Sequence, residues 1–444
     1  MMNRGLWRLG VGCVIGLAGL GACGKEGKKG VGHPVAGEGG AGGARHVEGG
    51  AAGLAEAEDV SGSGGLPENE AANAGAPSGS AGDEPVGGSA GAGGDFEGLA
   101  GAGGEPSAAS AAPVSAYLYA GGTGKKIAGW AFDPTNGTLT LLAGSPFPGK
   151  IATFAEHPSG RAIFAADYDG STAAAFAVDA AGALSAIGTP LPAGNLTEIA
   201  KVHPSGKFLY AGNIYGGGTT IYDIDSQTFA LSAKSSVNFG NYHHGLAFDP
   251  TGKYFYLARN NNNDVTRFIV DQQTGAVSEP QTLAAAGGYH AAMDPLGQYL
   301  VVCDWDKGGA NKVSSYSLSP VDGTLTKVGD YDTGGTNPSG VVVTSDGRFV
   351  YLVNHNTSVA GFALDRATGV LTPVPGSPYP GGGWELCVDH SGRFLYVGIR
   401  TGLAGYSIDH TTGALVSLPG SPFDGGLDPV DHTIGACVLT RKQD

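Results

Sequence analysis

Beyond residue 116 the chain alternates short apolar runs with turn residues, and one phrase keeps returning. It reads HPSGRAIFAA from His157, HPSGKFLYAG from His203, FDPTGKYFYLA from Phe248, MDPLGQYLVV from Met293, TSDGRFVYLV from Thr344 and DHSGRFLYVG from Asp389. A second phrase follows each time: FDPTNGTLTLL, VDAAGALSAI, IDSQTFALSA, VDQQTGAVSEP, LSPVDGTLTKV, LDRATGVLTPV and IDHTTGALVSL, seven in all. Within a unit, stretches such as 197–202 and 245–248 lead into a tight turn, where glycine supplies positive φ without a steric penalty. In the next strand, 207–211, Phe208 and Tyr210 face one way and Leu209 the other. A third strand such as 220–224 runs into an Asp-containing turn and a fourth strand.

This pattern predicts four strands per unit with large apolar groups on both faces. Each sheet must then be covered on both sides by a neighbour about 10 Å away. Each buried Tyr, Phe or Leu contributes roughly 1.5–3 kcal/mol, so an isolated unit would not persist. No stretch sustains a 3.6-residue apolar period, which excludes a helical solenoid. The turn glycines recur about every 45–50 residues, the spacing of propeller blades. The fold class expected is all-β: a seven-bladed β-propeller of four-stranded antiparallel blades spanning 114–444. The first unit opens at Ala116-Tyr117-Leu118-Tyr119 without an inner strand, and segment 433–439 is an inner strand with nothing after it. The C-terminal strand is therefore expected to join the first blade and close the ring.

Composition changes the picture at the N-terminus. Arg4 and Arg8 precede an apolar run from Val11 to Leu20, and Leu20-Gly21-Ala22-Cys23 follow. A basic start, a short apolar stretch and small residues before a cut predict a secretory signal over 1–22; a spanning helix needs about 20 apolar residues. The Leu-Gly-Ala-Cys ending resembles the lipobox of bacterial lipoproteins, which implies acylation of Cys23 and a membrane attachment through lipid. Gly24 in place of Asp implies, by the same resemblance, sorting to the outer membrane or cell surface. Residues 23–113 are mostly Gly, Ala, Ser, Glu and Pro, and cannot offset a backbone ordering cost of roughly 1–2 kcal/mol per residue. A disordered tether is expected, with an r.m.s. reach on the order of 50 Å. Much of the formal charge of −15 sits there, and no basic run exists beyond Lys25-Glu26-Gly27-Lys28-Lys29 to hold a phosphate backbone, so nucleic acid is not an expected partner. The domain is expected to be a monomer.

The blade phrases resemble the seven-bladed lactonase propellers, the family of bacterial 6-phosphogluconolactonase and fungal carboxymuconate cyclase. The resemblance covers about 114–440. Asn213-Ile214-Tyr215-Gly216-Gly217-Gly218 is similar to the family's N-Y-G-G-G loop, and His290 with Asp294-Pro295 and Val302-Cys303-Asp304-Trp305 is similar to a blade with an inner-strand His. The resemblance implies hydrolysis of a sugar lactone, or the reverse cyclisation, with no metal or cofactor. A family blade reads P-R-H before its inner strand and N-E-L after its second; here stand His243-His244-Gly245 and Arg259-Asn260-Asn261. The Arg, His and Glu that the resemblance implies are missing from those positions, so the catalytic pattern reads as degraded; the fold transfers and the activity does not, because one propeller fold hosts many functions.

Propeller ligands sit over the central channel, on loops carried by a rigid scaffold. A lactone hydrolase needs a base to activate water and a cation or donor for the oxyanion. His290, His244 and Glu385 are the candidates for the first role, Arg259 and Arg400 for the second. Asp304, Trp305, Tyr242, Asn213, Asn354 and His355 are candidate ligand contacts. Asp167-Tyr168-Asp169-Gly170 and Asp304-Trp305-Asp306 echo the start of a calcium loop without its downstream Glu, so no metal is expected. Cys303, Cys387 and Cys437 remain in the domain. Equivalent side chains on adjacent blades point the same way, so free buried thiols are expected. Two functions follow: a lipid-anchored, exported module binding a small lactone or sugar, an envelope protein or a glycan, or an extracytoplasmic lactonase. The degraded pattern and the exported address favour the first, since a phosphorylated cytosolic lactone would not reach it.

Overall fold

The computed structural model describes residues 116–441, apart from 123, 217, 261, 286, 306–310, 356 and 428–435. The signal segment, the tether with Cys23, and His432 lie outside the described residues. Among the described residues the chain forms seven antiparallel sheets, each with a main path of four strands. Blade 3 is representative, with strands Asn195–Val202, Phe208–Tyr215, Thr219–Ile224 and Leu231–Val237 in spatial order. The innermost strands of blades 1 to 7 are Ala436–Arg441, Thr153–Glu156, Asn195–Val202, His243–Phe248, Ala291–Met293, Pro338–Val343 and Leu386–Val388.

The blades are held by side chains packed between them. Phe208 and Tyr210 of blade 3 bury against Leu246, Phe255 and Phe268 of blade 4, while Leu209 and Ala211 bury against Phe164 and Ala166 of blade 2. The alternation expected from the phrase is the observed one. Seven such cores exist, one between each successive pair of blades, and one of them sets Phe394 and Tyr396 of blade 7 against Trp130 and Phe132 of blade 1.

Two expectations are corrected. The first is the closed ring: none of the seven sheets is closed. Ala436–Arg441 pairs antiparallel with Ala116–Gly121 inside the first sheet, but that sheet, like the others, is open. Hydrogen-bonded ladders end at each blade, and non-directional apolar packing takes over between blades. The expected four-stranded blades are observed, with an addition at the outer edge. In blades 1, 2, 6 and 7 a fifth, two-residue strand also pairs with the third strand: Phe147–Pro148, Leu191–Pro192, Tyr379–Pro380 and Phe423–Asp424. In blades 1, 6 and 7 the outer strand breaks at a Gly-Ser-Pro sequence. The hydroxyls of Ser145, Ser377 and Ser421 then accept the N–H groups of Gly129, Gly361 and Gly405 at 2.9, 3.0 and 2.9 Å. The second correction concerns the thiols. Cys303 is free and buried, but Cys387 is disulfide-bonded. Innermost strands converge on the axis, so side chains there come closer than the spacing of whole sheets allows farther out.

A polar bracket repeats from blade to blade. A tyrosine in the second strand donates its hydroxyl proton to a carbonyl in the outer turn of the next blade. Tyr119 reaches Gly182 O at 2.7 Å, Tyr210 Gly275 O at 2.5 Å, Tyr256 Gly323 O at 2.8 Å, Tyr351 Gly413 O at 2.7 Å and Tyr396 Gly137 O at 2.5 Å. Blade 2 has Phe164 there and lacks the hydroxyl, while in blade 5, with Val301, the hydroxyl of its cross-strand partner Ser315 reaches Gly369 O at 2.7 Å. Gly323 has φ +70°, and an added Cβ would lie 2.6 Å from the Tyr254 ring, so the acceptor turn admits no side chain. Tyr256→Phe leaves a buried carbonyl without this donor and is expected to lower unfolding free energy by about 1–3 kcal/mol in urea titration. Tyr117→Phe, whose acceptor Ala180 lies in an exposed turn, is expected to cost less because water replaces the lost donor.

Candidate functional site

The loops entering the inner strands meet around one mouth of the channel, where they enclose a cavity of about 560 Å³. Thr153 of blade 2, Glu198 of blade 3, His244 of blade 4, Tyr289 and His290 of blade 5 and Trp384 and Glu385 of blade 7 line it. Tyr168, Asp169, Tyr215, Tyr242, Asn260 and Trp305 complete the wall. Local backbone irregularities aim two of these groups. The register shifts between Thr197 and Ile199 and again between His243 and Gly245, so Glu198 and His244 each sit on a β-bulge. A bulge turns one extra residue out of the ladder, here at the channel wall. Gly245 is required beside it, because a Cβ there would lie 2.5 Å from Tyr289 O.

Two imidazole–carboxylate pairs face the cavity. His290 Nδ1 is 2.8 Å from Glu385 Oε1. Its Nε2 is buried and has no hydrogen-bond partner. Burial works against charge on His290, but the Glu385 carboxylate outweighs it and raises the imidazole above its usual range. With Nδ1–H directed at the carboxylate, Nε2 carries the lone pair. His244 Nδ1 forms a short contact with Glu198 Oε2, and the Tyr289 hydroxyl donates to Glu198 Oε1 at 2.9 Å. Burial alone would raise the Glu198 carboxyl; the charges of His244 and His290 and these hydrogen bonds hold it at about 2.

Between the pairs runs a continuous aromatic wall. Tyr289 stacks on His290 at 4.5 Å with an interplanar angle of 6°, and touches His244 on its other side at 4.5 Å. Trp305 lies 5.0 Å from Tyr289 and stacks on Trp384 at 5.3 Å. Among the described residues no Lys or Arg lines this cavity, and no group of three His, Cys, Asp or Glu is placed to hold a metal ion.

Residues 97–384 match the family model described as lactonase, 7-bladed beta-propeller. The chain belongs to that lactonase family. Solved structures agree on the fold. A putative 6-phosphogluconolactonase of Bacteroides fragilis is 19% identical, with a TM-score of 0.64, over 75% of this chain and 100% of that one. The periplasmic gluconolactonase of Pseudomonas aeruginosa is 16% identical, with a TM-score of 0.62, over 73% of this chain and 99% of that one. No curated protein matches the chain in sequence.

In this lactonase-family propeller the structure gathers only part of the predicted site. His290, His244, Glu385, Trp305 and Tyr242 line the cavity. Arg259 does not: its guanidinium pairs with Asp264 at 2.5 Å and donates to Phe239 O at 2.5 Å, so its charge is spent inside blade 4. Arg400 sits on an exposed turn between strands two and three of blade 7, also outside the lining. Asn213 is a strut, donating to Gly218 O at 2.7 Å and accepting from Thr197 at 2.8 Å; Asn354 plays the same part toward Thr333 O and Ser358. Asp304 is buried, with its carboxylate pressed so close to Gly287 that an added Cβ would lie 1.7 Å from Oδ1. His355 backs the wall, 3.7 Å from the Trp384 ring. Glu198, Tyr289 and Trp384 also belong in the site; the sequence placed them on the loops entering the inner strands but gave them no catalytic or ligand role. Their signal is positional, since each stands at the entry to an inner strand.

Glu198 also sets an acid sensitivity. Its folded value of about 2 lies below the ordinary 4.5, so the stabilisation is present above about pH 4.5 and lost as pH falls toward 2. The melting temperature of the wild type is expected to drop across that window. That of Glu198→Gln is expected to start lower and change less there.

Proposed function

We propose that the upper cavity hydrolyses a small lactone of the sugar class, with His290 as the base. The carrying observation is the Glu385–His290 pair, whose buried Nε2 has no protein partner. In this reading Nε2 takes a proton from water as the water oxygen attacks the lactone carbonyl carbon. The ring C–O bond then breaks, and the same proton returns to the leaving alkoxide oxygen. His244, braced by Glu198, and the Asn260 amide line the same cavity and supply hydrogen-bond donors for the oxyanion. The Trp305–Trp384 face offers an apolar plane for a sugar ring. With no Lys or Arg among the described lining residues, an uncharged ring fits better than a phosphorylated one. The name of the Pseudomonas protein, a periplasmic gluconolactonase, points to the same uncharged class, while that of the Bacteroides protein, a putative 6-phosphogluconolactonase, names a phosphorylated sugar lactone. The weight given to a binding module on sequence grounds therefore moves to hydrolysis; binding without turnover is the competing outcome.

A panel of aldonolactones is expected to reveal turnover, and His290→Ala to lower kcat/KM by roughly 10²-fold or more. Arg400→Ala is expected to leave the rate unchanged. Measurable binding with no turnover on any lactone would sink the hydrolase reading. Because Glu385 raises the His290 value, activity is expected to rise with pH through that raised value and level off above it. Glu385→Gln is expected to move this limb to lower pH and reduce the plateau.

We also propose that the propeller works outside the cytoplasm on a lipid anchor at Cys23, on the strength of the signal and lipobox sequence. In a bacterial host, labelled palmitate is expected to enter the wild type and not Cys23→Ser; equal labelling would remove the anchor from the account.

A further inference from the structure

Packing between blades does not account for one side chain in the interface of blades 4 and 5. In every blade the third strand carries a residue opposite the second-strand position of the tyrosine bracket. Six blades place Gly129, Ala175, Ile221, Ser315, Gly361 and Gly405 there, all uncharged. Blade 4 pairs its Tyr256 with an arginine, Arg267. Arg267 is 9% exposed. It lies on the same face of its strand as Val265, which belongs to one core with Leu325 of blade 5.

Arg267 borders a cavity of about 150 Å³, which Val265, Gln281, Leu283, Thr324 and Leu325 also line. The space lies between the third and fourth strands of blade 4, Asp264–Val270 and Val277–Ala284, and the start of the fourth strand of blade 5, Leu325–Asp332. One acceptor reaches the guanidinium: Gln281 Oε1, 3.0 Å from Nη2. Nε and Nη1 are buried and have no hydrogen-bond partner. The Tyr254 ring, centred 5.7 Å from the guanidinium carbon, offers a π face but no lone pair. The carboxylate whose charge meets that of Arg267 is Asp322, on an exposed turn. It is held by Ser319 and Thr324, accepting the Thr324 N–H at 3.1 Å, and makes no ion pair with Arg267 among the described residues. A buried cation with idle donors is costly. One bridging water needs on the order of 10–15 Å³, so the cavity has room for a larger acceptor.

We propose that this cavity between blades 4 and 5 binds a small monovalent carboxylate, the size of formate or acetate, on the Arg267 guanidinium. The planar guanidinium matches the two oxygens of a carboxylate. One fixed positive charge balances one negative charge. A divalent sulfate or phosphate would leave negative charge over, in a space that Asp322 already makes less welcoming to anions. The cavity shares no lining residue with the lactone cavity, and the inference does not depend on how that cavity is read. A ligand of so few atoms makes few contacts, so millimolar affinity is expected. Because the folded protein alone presents the site, the ligand also raises the melting temperature.

Calorimetric titration of the full chain with formate and acetate tests this. Saturable binding at one site is expected, with acetamide and sulfate each at least tenfold weaker than acetate. Arg267→Met puts an unbranched apolar chain in place of a buried charge and is expected to fold. It is expected to weaken acetate at least tenfold. Gln281→Glu keeps the arginine and the shape of its neighbour but supplies a carboxylate from the chain itself. It is expected to weaken acetate at least tenfold as well, and to raise the melting temperature without ligand. His290→Ala, confined to the lactone cavity, is expected to leave acetate binding unchanged. Absence of saturable binding by both formate and acetate overturns the proposal. So does equal acetate binding by wild type and Arg267→Met, sulfate binding as tight as acetate, or loss of binding in His290→Ala alone.

Discussion

The constraint on which this protein depends is that each blade is greasy on both faces. A sheet with one apolar face needs a single cover. A sheet with Phe208 and Tyr210 on one side and Leu209 and Ala211 on the other needs two. The cover is supplied by the next sheet, which has the same need, so the demand passes around the molecule until blade 7 meets blade 1 through Tyr396, Phe394 and Trp130. Apolar burial supplies the driving force without direction. Direction comes from the tyrosine hydroxyls that reach the next blade's turn carbonyls, since a buried carbonyl without a donor is penalised.

The same geometry makes a site. Innermost strands converge on an axis, so side chains from blades 2, 3, 4, 5 and 7 meet over one opening although they are far apart in sequence. A channel surrounded by protein lowers the local dielectric, and charges there settle in pairs. Glu198 with His244, and Glu385 with His290, are such pairs at the upper mouth; Glu156 stands beside His390 at the lower.

Much of the fold was legible in the chain, because a repeat states its local rules several times over. The phrase at Phe208 to Ala211 reported which residue faces which neighbour, and the packing follows it. The Gly-Ser-Pro breaks at 144–146, 376–378 and 420–422 were equally visible, but their consequence was not. Whether a strand resumes beyond such a break depends on a hydroxyl taking over a backbone N–H, as Ser145 does for Gly129. The closed ring was an over-reading. Strand pairing stops at each blade, and apolar packing with a few side-chain hydrogen bonds continues.

By itself the sequence determined the repeat, the blade number, the two-faced strands and the loops on which polar residues gather, because these follow from local alternation and turn chemistry. The tertiary structure alone decided which polar residues meet. Arg259 and His244 looked equally available in the chain. One is consumed by Asp264 five residues away, while the other is turned toward Glu198 of the neighbouring blade by a bulge. Alternation in a strand says which face a residue occupies, but it carries no information about a single-residue shift in register or about the partner that arrives from another blade. Those depend on distances across the channel, which exist only once all the sheets stand around it.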